Sequence, residues 1–421
     1  MPPGIMTSVR ALMHFCYLVQ SPHIDDDNLA HISAALDEFH VNKHAIITAG
    51  VCHGKGNTTI DNWYIPKLKL MQNIVPSICS SGIIGQWSAN ATEHAHITEV
   101  KNPARSTNNN NYAPQICCYL DRADKCNRFD LAIDLLDGKL NDDIDEDADV
   151  EIVAVEIPSS AQQPDQPPGS IPIPLCSFVV GRTALHLAYD PSIRNISVDE
   201  VAVTFNLPDL CPAIADFLHR EETSGHRVHA ISGPQRAGPE AELPFDKLQV
   251  WFKICLQETD FHNAHKIHPA QTLNCAPPSE PWTSGCYDTV IIQTNTEQSW
   301  PTCGLSGHSV AQLRLLIWPI GKSGIPWSWE DQFITYLQQF DISSERDPTT
   351  QLHVLRRSKR SNGSRMGDII PVSQLRAPVH FVPRFSATAD THFTAYNSME
   401  HASKFWLNYF WDKNSFFALS A

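Results

Sequence analysis

Apolar residues in the first part of the chain recur at helical spacing. Leu29, Ile32, Leu36, Phe39 and the apolar residues at 45–47 form one stripe with a period near 3.6, so residues 5–50 read as helix. The acids of "SPHIDDDNL" sit near the start of that stripe, where the helix dipole favours negative charge. A turn is expected over 50–56. A second helical stretch, "IPKLKLMQNIVPSICSSG", has Pro66 near its start and Gly82 past its end. After "QWSANATEHAHITEVKNPARS" and an asparagine-rich loop, a further helix is expected, which makes residues 1–136 a helical region.

The pattern then changes twice. Residues 141–156 hold eight acids, and "PSSAQQPDQPPGSIPIP" follows them. Such a stretch cannot bury a core, so 137–174 reads as a linker. Over 175–225 two apolar-periodic pieces flank "NLPD", which predicts a short helical hairpin. From Leu243 onward the runs become short and rich in β-branched and aromatic residues: "LQVWFKICLQ", "YDTVIIQT", "VAQLRLLIWPI", "QFITYLQQFDI", "LHVLRRSK" and "PVHFVPRF". Gly, Pro, Asn and Asp punctuate them, as between antiparallel strands. The expectation is an α+β chain whose residues 240–421 form a β-rich, barrel-like domain, with the aromatic tail folded back onto it.

Composition narrows this picture. The chain has 421 residues, 42% hydrophobic and 18% charged, with 30 prolines, as in a soluble, loop-rich globular protein. A net charge of −15 argues against wholesale coating of nucleic acid but leaves room for a local basic surface. The first apolar run, 11–19, is too short to span a bilayer and lacks the flanks of a signal peptide, so no membrane partner is expected. Twelve cysteines without a CxxC pair suit a reducing, intracellular setting.

Candidate chemistry is sparse. Zinc helices need HExxH, with histidines one turn apart, whereas "EHAH" places Glu93 before His94 and His96, two apart and on different sides of a helix. "FHNAHKIH" spaces His262, His265 and His268 by three, but it offers no fourth ligand and reads as an exposed loop. "GLSGH" is not a nucleophile elbow and "GVCHGKGN" is not a Walker loop. The "NLPD" pair has helix–turn–helix spacing at Ala202 and Asn206, but Asp209 and Asp216 make its second helix too acidic for groove reading. One basic cluster remains, "LRRSKRSNGSR", with Arg356, Arg357, Lys359, Arg360 and Arg365. On a hairpin tip it could grip phosphates or serve nuclear import, or it could simply keep an edge strand charged.

Several segments together carry a family resemblance. "ALDEFHVNKHAIITAG", "QWSANATEHAHITEVKNPARSTNNNNYAPQICCYLDR", "LPFDKLQVWFKICLQ", "GHSVAQLRLLIWPI", "GDIIPVSQLRAPVHFVPRF" and "FWLNYFWDKNSFFAL" resemble, in this order, the C-terminal half of Plavaka-type, CACTA-like DNA transposases of mushroom-forming fungi. The resemblance implies that full-length members carry an RNase H-like DDE domain, in which three carboxylates hold two divalent metals for attack on a phosphodiester. It makes Glu93 the candidate third acid. The other two should come from core strands well upstream, yet only 92 residues precede Glu93 and they read as helical. A lone carboxylate does not hold two magnesium ions.

The expectation is therefore a truncated, transposon-derived protein without catalysis or cofactor of its own, nuclear, and binding DNA or protein. Magnesium would enter only if a longer copy completed the DDE site in trans. Full-length transposase or a second copy of the chain are the expected protein partners, and a purely structural assembly role is the remaining alternative.

Overall fold

The helical stripe of the first fifty residues is three helices: α1 Pro3–Leu18, α2 Asp26–Asn42 and α3 His44–Thr48. Pro22 accounts for the first break, because it lacks an N–H and pushes Ser21 out of the helical region. The chain restarts on Asp25, whose side chain caps α2 by accepting from the Asn28 N–H at 2.7 Å. These coordinates are a computed structural model of the chain. The structure describes residues 2–54, 56, 58–89, 93, 95–108, 110–136, 176–224, 237–238, 240–321, 332–385 and 390–420. The linker expected at 137–174 lies outside the described residues.

Next come α4 Pro66–Gln72, α5 Ile74–Ser81, α6 Ile84–Trp87, a π-helical turn His96–Lys101, α7 Asn102–Arg105 and α8 Tyr112–Leu136. Gly82, at φ +84°, terminates α5 as expected of a helix-ending glycine. The chain divides into two compact units, Met1–Val75 with Pro172–Ala421, and Pro76–Ile171. The helical region expected over 1–136 is thus split, with the boundary inside α5. Among the described residues, no helix is long and apolar enough to cross a membrane.

The hairpin expected over 175–225 is helical only in its second half. β1 Ser177–Val180, β2 Thr183–His186 and β3 Ile193–Ser197 come first, followed by α9 Val198–Thr204 and α10 Leu210–Ser224. The sequences SFVV, TALH and IRNIS do not alternate apolar with polar residues, so the pattern left these strands unread. A capping box starts α9: Ser197 accepts from the Glu200 N–H, and Glu200 accepts from the Ser197 N–H. Asn206, at φ +53°, turns the chain into α10.

The strands that follow are β4 Phe245–Trp251, β5 Lys253–Glu258, β6 Gln271–Ala276, β7 Cys286–Tyr287, β8 Thr289–Gln293, β9 His308–Gly321 and β10 Ile334–Arg346. Then come β11 His353–Arg357, β12 Gly367–Pro371, β13 Leu375–Val379, β14 Phe381–Pro383, a short helix α11 Ser398–His401, β15 Lys404–Leu407 and α12 Lys413–Leu419. The molecule is α+β, and the named ladders are antiparallel. "LQVWFKICLQ", which reads as one strand, is two. β4 pairs with β3 and β9, while β5, one residue on, pairs with β2 and β6 in the other sheet.

The smaller sheet runs β1-β2-β5-β6-β7, and the larger runs β13-β8-β9-β10-β11-β15-β14, with β12, β4 and β3 attached. The larger path begins at β13 and ends at β14, which only His380 separates, so it curls back onto one run of chain. No ladder joins its two ends among the described residues, and the expected barrel is therefore an open path. Two cores result. The first packs α9 and α10, through Val201, Phe205, Ile214 and Phe217, on Leu248, Val250, Leu315 and Ile317. The second gathers Ile291, Val310, Phe340, Leu355, Val379, Phe381 and Phe405, one from each neighbouring strand. Phe416 and Leu419 of α12 join it, so the aromatic tail does fold back. α1 docks on the tail as well: the Tyr17 hydroxyl donates to the Phe410 carbonyl at 2.8 Å, and its ring stacks on Phe416 at 4.8 Å.

Candidate functional site

Glu93, the acid singled out by resemblance, is exposed on a helical turn of the Pro76–Ile171 unit. Its N–H donates to the Ala89 carbonyl at 2.9 Å. His96 is exposed too, and His94 lies outside the described residues. Among the described residues no group of three or more His, Cys, Asp or Glu side chains is placed to hold a metal ion. The loop of His262, His265 and His268 is organised around Asp260 instead, which accepts from Lys266 Nζ at 3.1 Å and faces His268 Nε2 at 3.3 Å.

The five basic residues expected on one hairpin tip separate into two groups. Arg356 and Lys359 are exposed. Arg356 stands in register between Asp341 and Lys404, so its strip of surface carries mixed charge. The other three are half-buried and bond to groups in the body of the domain. Arg360 donates to the Gly367 carbonyl at 2.7 Å and lies 3.8 Å from Asp209. Arg357 donates to Gln312 Oε1 at 3.0 Å and to the Met399 carbonyl, and its guanidinium lies 5.1 Å from the Phe340 ring centre. Arg365 reaches Glu400 at 2.5 Å.

Glu400 lies on α11. Arg357 and Arg314 also face it, at 3.6 and 4.0 Å. Arg314 sits in the middle of β9 and is 3% exposed. It donates to Gln338 Oε1 at 3.0 Å and to the Phe205 carbonyl at 3.3 Å, and its guanidinium lies 3.9 Å from the centre of the Tyr287 ring. Three guanidiniums thus surround one carboxylate. Burial first, and then the neighbouring Arg365, push the Arg357 guanidinium down to about 9 from its usual range.

Glu400 also borders a cleft of about 540 Å³, which lies against β6, β7, β13 and β14. Tyr287, Gln312, Trp282, Tyr396 and Trp411 line it with Glu400. Trp282 and Tyr396 meet edge to face at 5.0 Å, forming two perpendicular walls. Tyr396 is 48% and Trp411 44% exposed, an arrangement typical of surfaces that receive a ligand. Gly285 makes the floor possible: at φ +91°, an added Cβ would stand 2.2 Å from the Tyr287 ring.

Sequence reasoning found Arg357 and Arg365 but placed them on a tip, and it missed Glu400, Arg314, Tyr287 and the aromatic walls. Arg314 did leave a signal. A single arginine inside the apolar run "VAQLRLLIWPI" must be buried against partners, since an isolated charge there would be prohibitive.

Residues 158–355 match the model of a family described as a domain of unknown function, DUF6830. The matched span contains Arg314 and Tyr287 and stops within β11, before Arg357, Arg365 and Glu400. No curated protein and no solved structure matches the chain.

Proposed function

We propose that the chain is a transposon-derived, non-catalytic nucleic-acid-binding protein whose ligand seat is the aromatic cleft, not the tip of the basic hairpin. One observation carries this reading: exposed aromatic rings line a cleft whose border residue, Glu400, is backed by three arginines. Proteins that hold single strands combine rings on which bases stack with cations that follow the phosphates. The resemblance to Plavaka-type transposases supports the same partner. It also supports a nuclear location and association with full-length transposase or a second copy of the chain.

Single-stranded and duplex oligonucleotides, titrated into the full chain at stepped salt and followed by fluorescence anisotropy, test the reading. The single strand is expected to bind more tightly. Trp411→Ala and Tyr396→Ala are each expected to cost about 1–3 kcal/mol, or roughly five- to 150-fold, as for loss of one base–ring stack. Arg356→Ala with Lys359→Ala should weaken retention less. Equal binding by wild type and both ring variants would overturn the reading.

A further inference from the structure

We propose that Arg314, Arg357 and Arg365 form a phosphate-binding site and that the carboxylate of Glu400 occupies it as a built-in cap. This rests on the cleft being the ligand seat and names the chemical group the cleft receives.

The first observation is charge balance. Three guanidiniums share one carboxylate in a region where Arg314 is 3% and the Arg357 side chain 8% exposed. Nearby acids are committed elsewhere. Asp209 accepts from the Tyr336 hydroxyl at 2.6 Å and pairs with Arg360, Asp368 pairs with Arg220 at 2.7 Å, and Asp288 accepts from the Asn274 N–H and side chain. Buried cations in excess of their counter-charges favour a further anion.

The second observation is hydrogen-bond supply. The Nε atoms of both Arg314 and Arg357 are buried and have no acceptor among the described residues. Donors in that position cost free energy until an acceptor reaches them. A carboxylate brings two oxygens, both on Glu400 already in use: Oε1 faces Arg365, and Oε2 faces Arg357 and Arg314. A phosphate group brings at least one more oxygen and matches guanidinium forks in geometry and charge.

The third observation is position. Glu400 borders the cleft on one side and meets the three arginines on the other, so a guest in the cleft meets the carboxylate before the guanidiniums. Its element, α11, is a single helical turn of four residues that rotation or a small shift could carry aside. A phosphate would then take the place of the carboxylate, with no covalent step.

Isothermal titration of the full chain with inorganic phosphate tests the site directly. A 5′-phosphorylated dinucleotide and its unphosphorylated counterpart, run in parallel, separate free phosphate from a nucleic-acid end as its source. Wild type should bind phosphate weakly and saturably. Glu400→Gln, which removes the competing charge, should bind roughly tenfold or more tightly, and Arg365→Ala should lose about tenfold, the scale of one charge-assisted hydrogen bond. Thermal unfolding of each variant checks that it remains folded, and Arg365→Lys, which keeps the charge but not the fork, should fall between wild type and Arg365→Ala. No saturable phosphate binding by folded wild type and folded Glu400→Gln would overturn the inference, as would binding indifferent to Arg365. Phosphate binding without oligonucleotide retention would leave the inference standing and remove the nucleic-acid reading. Oligonucleotide retention without phosphate binding would do the reverse.

Discussion

The long helix of the Pro76–Ile171 unit and the core of the sheet-bearing unit hold their charges in opposite ways. In Pro76–Ile171 the long helix α8 carries Asp121–Lys125 and Asp124–Arg128 pairs one turn apart, with side chains that are all more than half exposed. Tyr112, Tyr119 and Phe129 on the same helix are also exposed. Ion pairs of this kind are screened by water and salt and position nothing. In the sheet-bearing unit, Arg314, Arg357 and Glu400 are brought together by three elements distant in sequence and stand over a continuous apolar core. Glu93 and Glu400 show the contrast best. The first is an exposed acid on a helical turn, while the second is gripped by three cations at the edge of a cleft. A charge acquires a role here through what surrounds it, and the surroundings come from tertiary packing.

The largest test of that contrast is the core itself. Leu315 is fully buried in β9, next to Arg314. Leu315→Ala is expected to cost about 3 kcal/mol, read as a lower urea midpoint, through lost transfer energy and the cavity left behind. An unchanged midpoint would mean that the sheet-bearing unit is not held by its core.

Two buried titrating groups give the next effects, of opposite sign. His14 is lowered to about 4, by burial first and then by Arg10 and the other cations around it. Between pH 6.5 and 4 the unfolded chain takes up its proton and the folded chain does not, so stability falls as pH falls through that window. Glu258 is raised to about 7, chiefly by burial beside Trp300, whose Nε1 donates to it at 2.8 Å. The folded chain holds that proton while the unfolded chain has released it, so stability falls as pH rises from 4.5 to 7. Each contribution is on the order of 2 kcal/mol once partial exposure is allowed for. Thermal melts across pH 4–7 read each contribution as a change from the wild-type profile. Relative to wild type, Glu258→Gln should make the slope rise more with pH, and His14→Phe should make it fall more. Parallel profiles for all three proteins would show that neither group titrates as described.

The smallest expected effects belong to the exposed side. Lys125→Ala should leave the melting temperature unchanged within error, and Glu93→Gln should leave both melting temperature and oligonucleotide retention unchanged. A loss of retention on Glu93→Gln would restore that residue as a functional acid and erase the contrast with Glu400.

What could be read in advance followed from the range of each signal. The stripe through Ile32, Leu36 and Phe39 is local, and it gave α2; "NLPD" is local, and it gave the turn at Asn206. β1 to β3 escaped because none of their sequences alternates apolar with polar residues. The run "LQVWFKICLQ" hid a change of sheet at Phe252 because both halves are equally apolar. The basic cluster was visible, but its split depended on tertiary partners, among them an acid in "NSMEH", far along the chain. No spacing rule links Arg314 to Glu400. Only the packing of β9 against the tail does.

The run through β13, His380 and β14 sets the order in which the molecule can be completed. On a ribosome, β8 to β10 emerge long before their last neighbours, and the second core stays open until Phe405 and Leu407 arrive to pair with β11 and β14. Closure therefore depends on contacts between residues far apart in sequence, which are slow to form. A segment cut at residue 355, where the family match stops, would strip β13 from β8 and β12 from β10 and leave those edges exposed. Such edges invite association with other chains. Expression trials should accordingly extend to the tail, since the smallest self-sufficient piece is set by the pairing of the strands, whatever the extent of the family match.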